Sequence, residues 1–276
     1  MQKVRKIRKI QTPRKTKSNK TVERKAKHKP RTIKNNKVYI KPTQITHKNK
    51  NFLDLTLKDL SSIEPIWAGE TVFIIGGGPS LSNFNWHSLK GKKTIAINKA
   101  FYSYPDADML YFTDGRFYKW YKEDIDLFKG KKYTITPGTQ NLKSDVNVLK
   151  RGSKLGLSTQ KDTLSHGNNS GYAAMNLAYL LGAKRIILLG YDMGNSIDKS
   201  HFHDGYPTNK TNNSIYVNNF IPAFEALYPL LKNSGIEVYN ASIKSKLTVF
   251  PRISHNKALS FKWFFCIFNE FLLFFF

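Results

Sequence analysis

The sequence predicts an α/β fold of Rossmann-like type, a mostly parallel sheet with helices on both faces, behind a disordered basic N-terminal tail. Three observations carry this. Short continuous apolar runs recur between residues 71 and 239, as strands buried on both faces require. Helical stretches alternate with those runs, which argues for parallel pairing through right-handed crossovers. The first run, TVFII at 71–75, empties into Gly76, Gly77, Gly78, Pro79 and Ser80. Glycines there permit unusual backbone angles and close approach of a ligand, and Pro79 suits the first turn of a helix whose N–H groups favour anions.

In chain order, residues 1–50 hold 19 Lys and Arg against one acid, Glu23, and so carry +18 of the formal +26. With few apolar residues they bury too little surface to offset chain entropy, so this stretch reads as a disordered basic tail. Such a tail binds nucleic acid or another acidic surface by charge, or is a solvated extension. Basic residues interrupt each of its hydrophobic stretches, unlike a secretory signal. Residues 51–255 form the expected domain, entered through a short amphipathic piece at 52–60. Strands are expected at 71–75, 93–97, 109–113, 131–136, 185–189 and 236–239, and helices at 79–89, 99–104, 115–128, 170–182 and 215–233. The helix at 170–182 is well marked, with Ser170 as its expected N-cap, Gly182 as its stop and Ala173, Leu177, Leu180 and Leu181 at helical spacing. Residues 194–214 are polar and long for a connection, and read as a lid or an insertion. Residues 256–276 are apolar and aromatic, short for a membrane span, and suggest peripheral membrane contact or docking through 261–276. The single cysteine, Cys266, excludes an internal disulfide and a Cys-rich zinc site and fits a reducing, cytoplasmic setting.

The motifs narrow the chemistry. A dinucleotide fingerprint needs a third glycine and an acid after the second strand. Here Leu81 takes the glycine position, and the second strand ends in Asn98 and Lys99, so a nicotinamide dehydrogenase is disfavoured. A P-loop is also absent, because no Gly-Lys-Ser/Thr follows. Asn98 can read a base or ribose with donor and acceptor together, or cap a helix. Asp114 either contacts a ligand or metal, or caps the helix near Arg116. The run from Ser165 to Tyr172 opens the well-marked helix, and Asn169, Ser170 and Gly171 present N–H groups suited to a phosphate or carboxylate. The strand at 185–189 delivers Tyr191, Asp192 and Met193 to the edge where open α/β sheets bind ligands. His201 and His203 share a face if extended, and Asp204 follows. One of these histidines, or Asp192, is an expected general acid or base. Two histidines alone are weak evidence for a metal site.

The ordered set GGGPSL, AINKAF, LYFTDG and NNSGYAAMNLAYLLGAKRIILLGYDM resembles the MptE-like family across about residues 70–250. That family includes 6-hydroxymethylpterin diphosphokinase-like proteins and motility-associated factors, and short phage and prophage members exist. The set is also similar to the family 42 glycosyltransferases, bacterial sialyltransferases with CMP-activated donors. The resemblance implies that Gly76, Gly77, Gly78, Pro79 and Ser80 line the nucleotide phosphate and ribose, that Asn98 contacts the nucleotide, and that Ser170 and Gly171 form a turn beside the donor. Asp114 stands where those enzymes carry Asn. Tyr191, Asp192 and Met193 match the strand end that leads into the lid. The resemblance further implies a lid histidine as general base, here His201 or His203, and lid tyrosines, here Tyr206 or Tyr216.

The first function expected is a nucleotide-sugar-dependent transferase with a CMP-linked sugar donor. A diphosphokinase using ATP and Mg²⁺ is the second, with Asp114, Asp192 and Asp204 as metal carboxylates. A non-catalytic nucleotide or nucleic-acid binding module is the third.

Overall fold

A computed structural model describes residues 60–135, 145–194 and 213–261. The basic tail, His201, His203, Asp204, Tyr206 and residues 262–276 lie outside the described residues. All described residues belong to one compact unit, Lys50–Phe276.

Eight parallel strands form one sheet in the order β6-β5-β4-β3-β2-β1-β7-β8. They are β1 (Thr71–Ile75), β2 (Lys93–Ile97), β3 (Met109–Tyr111), β4 (Lys131–Ile135), β5 (Val146–Arg151), β6 (Thr163–Leu164), β7 (Arg185–Leu189) and β8 (Glu237–Asn240). The helices are α1 (Ala100–Ser103), α2 (Gly115–Leu127), α3 (Ser170–Leu180), α4 (Asn213–Ile215), α5 (Ile221–Asn233) and α6 (His255–Leu259), with a π-turn at Tyr216–Phe220 joining α4 to α5. The fold is α/β and Rossmann-like, as the alternation predicts.

The apolar runs are continuous because both sheet faces are covered. Val72 and Ile74 of β1 enter one core with Leu177 of α3 and Leu227 of α5. Phe73 and Ile75 point the other way, into a second core with Phe101 of α1, Phe117 of α2 and Ala258 of α6. Helix α3 lies deepest, with Tyr172 through Ala178 buried. Asn176 within it is fully buried and satisfied. Its Oδ1 accepts from the Ser158 and Ser165 N–H groups at 3.0 and 2.9 Å, and its Nδ2 donates to the Ser158 carbonyl at 2.9 Å. One carboxamide thereby fastens the segment leading through β6 onto the helix.

Several elements differ from the sequence expectation. In place of a helix over 79–89 there are two short 3₁₀ turns, Pro79–Leu81 and Trp86–Leu89. The hydroxyls of Ser82 and Ser88 bond back to the carbonyls of Pro79 and Asn85, at 2.8 and 2.5 Å, and such local bonds compete with helix propagation. The N-cap of α3 is Asn169, whose side chain accepts from the Tyr172 N–H at 2.7 Å, and Ser170 is the first helical residue. Strands β5 and β6 were not expected. The first lies next to the sheet edge and carries Asn147, Lys150 and Arg151 among its six residues, and the second spans only two residues. Core packing continues past residue 255: Ala258 is buried, and Phe261 stacks on Tyr239 with the Arg185 guanidinium 4.1 Å from its ring centre. Among the described residues no helix is long and apolar enough to cross a membrane.

Candidate functional site

The chain leaves β1 toward β2 on one side, and β7 lies on the other, so the sheet order reverses between β1 and β7. Loops splay apart at such a switch point and leave a crevice beyond the carboxyl ends of the strands. The glycine loop forms one lip. The Gly76 N–H donates to the Leu189 carbonyl and the Gly78 N–H to the Gly190 carbonyl, both at 2.8 Å, extending the β1–β7 ladder. None of Gly76, Gly77 and Gly78 has a positive φ, whereas Gly190 opposite them does, at +69°. The glycines are needed for close approach instead. A Cβ on Gly78 would lie 1.8 Å from Asp192 Oδ2 and 2.5 Å from the Gly190 carbonyl oxygen, and one on Gly76 would lie 2.9 Å from the latter.

The turn beginning at Pro79 is bonded within the protein. Asp192, just past β7, accepts from Ser80 twice: Oδ1 from the N–H at 3.2 Å and Oδ2 from the hydroxyl at 2.8 Å. Ser80 Oγ also lies 3.1 Å from Ser242 Oγ, which accepts from the Tyr191 N–H at 3.1 Å. One hydrogen per hydroxyl gives a single consistent chain, Tyr191 N–H to Ser242, Ser242 to Ser80, Ser80 to Asp192.

The crevice is a cavity of about 750 Å³, ample for a nucleotide. Every expected donor-binding residue except Pro79 and Ser80 lines it, and Asp192 lines it too. Three non-glycine residues among those described have positive φ: Asn98 at 49°, Asn168 at 55° and Met193 at 51°, and all three line this cavity. Left-handed backbone at such residues is sparsely populated and clusters at ligand sites. At Asn98, Nδ2 donates to Ser170 Oγ at 3.5 Å, Ser170 Oγ to Thr113 Oγ1 at 3.3 Å, and Thr113 Oγ1 to the Tyr111 hydroxyl at 3.1 Å. Asn98 Oδ1 is buried with no partner among the described residues. A buried acceptor without a donor is costly, and an N–H or O–H donor in the cavity would resolve it. The N-terminus of α3 faces the same space, with Ser170 and Gly171 in its first turn.

Other expected roles change. Gly167 and Gly171 answer to packing: a Cβ would meet the Tyr172 ring at 2.4 Å in the first case and the Tyr191 ring at 2.9 Å in the second. Tyr191 is 2% exposed and its hydroxyl donates to the Gly171 carbonyl at 3.1 Å, so it is a wedge between β7 and α3. Asp114 caps α2 through the Arg116 N–H at 2.8 Å and grips the Arg116 guanidinium with both oxygens. That bond to Arg116 holds its carboxyl below the usual range. Asp114 and Asp192 are both occupied by protein donors, and among the described residues no three His, Cys, Asp or Glu side chains gather as a metal site. Asp204, the third expected metal carboxylate, lies outside the described residues.

Sequence reasoning missed Thr113, Arg116, Trp120, Arg151 and His255. The first four border the large cavity, where Arg116 lies 5.8 Å from the Trp120 ring centre. Thr113, a polar residue at the end of the strand expected over 109–113, carried a local signal, whereas Arg151 ends β5, a strand the sequence did not announce. His255 lies 63 positions from Asp192 in sequence, so nothing local announces it. Burial raises the Asp192 pKa against the Ser80 hydrogen bonds that lower it. Burial lowers that of His255 despite the neighbouring Asp192 charge.

His166 beneath the cavity rim yields a pH prediction. Burial, then Arg151 and Lys154, lower its pKa, and Nδ1 accepts from the Asn168 N–H at 3.1 Å. The unfolded chain therefore binds the proton more readily than the folded one. Its stabilising contribution is full above the ordinary value of about 6.5 and is lost as pH falls from there through the folded-state value. His255 acts in the same sense and Asp192 in the opposite one. Urea midpoints of wild type and His166→Gln should converge as pH falls below about 6.5. A gap independent of pH contradicts this assignment.

Comparison with protein-family models, with curated proteins and with solved structures returns no match.

Proposed function

We propose that this chain is a nucleotide-dependent transferase, moving a sugar from an activated, CMP-type donor to an acceptor hydroxyl. One observation carries the reading: the three non-glycine residues with left-handed backbone converge on the switch-point cavity, one of them with an orphaned carboxamide oxygen. Asn98 would take a ribose hydroxyl or base amino group on Oδ1. The α3 N-terminus would take the phosphate through N–H groups and helix dipole, and would favour the charge that grows there as the donor bond breaks. Arg151 at the rim adds positive charge, while Arg116 there is paired with Asp114. The CMP-type donor is what the MptE-like and sialyltransferase resemblance implies. Asp192 is the described member of the expected acid–base set, and burial gives it added affinity for a proton.

A thermal-shift panel of CMP, UDP, GDP, ATP with and without Mg²⁺, and NAD tests this. At one hundred times its Kd a ligand adds about 2.7 kcal/mol, or roughly 5–10 °C for a domain of this size. A shift with CMP and hydrolysis or transfer of a CMP-linked sugar is the expected result. A shift with ATP and Mg²⁺ alone, or none with any nucleotide, overturns it.

A further inference from the structure

We infer that a second cavity, sharing Asp192 with the first, is the acceptor subsite, and that it takes a small hydroxylated anion such as a sugar acid or sugar phosphate. This rests on the transferase reading above. The second cavity measures about 490 Å³ and is lined by Ser80, Asp192, Ile243, Lys244, Lys246 and His255 among others. Asp192 and Gly194 line both cavities, so the two meet along the end of β7.

The chemistry of its walls selects the ligand. Lys244 and Lys246 are exposed on the segment after β8, and neither has an ion-pair partner among the described residues. The acid here, Asp192, already receives two hydrogen bonds from Ser80. The cavity is therefore biased toward an anion. Ile243 is 59% exposed at its edge, and Pro79 adds apolar surface suited to the C–H face of a sugar ring. The ring of His255 is held edge-on by Phe84, with centroids 4.9 Å apart. Its Nε2 is buried without a partner among the described residues. A ligand hydroxyl between His255 and Asp192 satisfies that nitrogen and faces the donor cavity.

The step balances without a further reactant. The acceptor hydroxyl gives its proton to the Asp192 carboxylate. Its oxygen forms a bond to the donor carbon. The bond from that carbon to the nucleotide phosphate oxygen breaks, and the electron pair leaves on the phosphate.

The test titrates the full chain with glucuronate, glucose 6-phosphate and glucose by ligand-detected NMR, and with CMP by thermal shift. The two anions should bind at least about 10-fold tighter than glucose, since charge-assisted bonds exceed neutral ones. Lys244→Gln with Lys246→Gln should lower anion affinity by about 10-fold while the CMP shift stays unchanged, which also shows that the variant folds. His255→Phe, which keeps the ring against Phe84, should weaken all three sugars. Anion binding untouched by the lysine changes, or glucose bound as well as the anions, overturns the subsite. If CMP binds and neither anion does, the subsite falls and the transferase reading stands. Lysine-dependent anion binding without any nucleotide binding supports the anion site and removes the transferase reading.

Discussion

Gly78→Ala is expected to destabilise the protein by about 3 kcal/mol or more, at the upper end of overpacking effects. The new methyl would sit 1.8 Å from Asp192 Oδ2 and 2.5 Å from the Gly190 carbonyl oxygen. The carboxylate can swing away, at the loss of its two bonds to Ser80. The carbonyl cannot, because it accepts from the Gly78 N–H at 2.8 Å in the continued β1–β7 ladder. Relieving the clash means parting the two strands at the mouth of both cavities. Removing Asp192 in the same chain should therefore restore only part of the loss. Gly91→Ala is the comparison: its φ is +76° but nothing lies within 4 Å of the added atom, so only backbone strain of about 1 kcal/mol remains. Urea denaturation of the three variants reads the difference. A cost for Gly78→Ala no greater than that for Gly91→Ala would mean that the strands do not meet this closely.

Asn98→Gly separates strain from recognition. Asn98 holds a φ of 49° at the end of β2 with an unpartnered buried oxygen. Glycine adopts that angle without strain but gains freedom in the unfolded chain, and the two effects nearly cancel, leaving stability within about 1 kcal/mol of wild type. Nucleotide affinity should fall by about 10-fold or more, because a buried hydrogen bond to the ligand is lost. Calorimetric titration with the nucleotide that shifts the wild-type melting point measures it. Unchanged affinity would mean that Asn98 is strained for packing reasons and reads no ligand.

The strands were the most legible part of the chain. β1, β2 and β7 fall at 71–75, 93–97 and 185–189, as the apolar runs predict. Those runs report burial on both faces, which is a local consequence of a parallel sheet covered twice. The 3₁₀ turns after β1 were less legible because Ser side chains compete for the backbone there, and the competition is settled by contacts with Pro79, Asn85 and Asp192. Strands β5 and β6 escaped because edge position relaxes the apolar requirement. His255 and the two lysines escaped because their neighbours come from the far end of the chain.

The glycine loop shows the division best. From the sequence alone it was clear that a strand ends at Ile75 and that the backbone after it must come close to something. The tertiary structure decided what: the end of β7, with the Gly190 carbonyl against Gly76 and Gly78 and the Asp192 carboxylate bonded to Ser80. Sequence periodicity reports how each segment meets the core, since burial is a property of neighbours a few residues apart. Which atoms occupy a crevice depends on strands brought side by side from more than a hundred positions away, and only the folded chain fixes that.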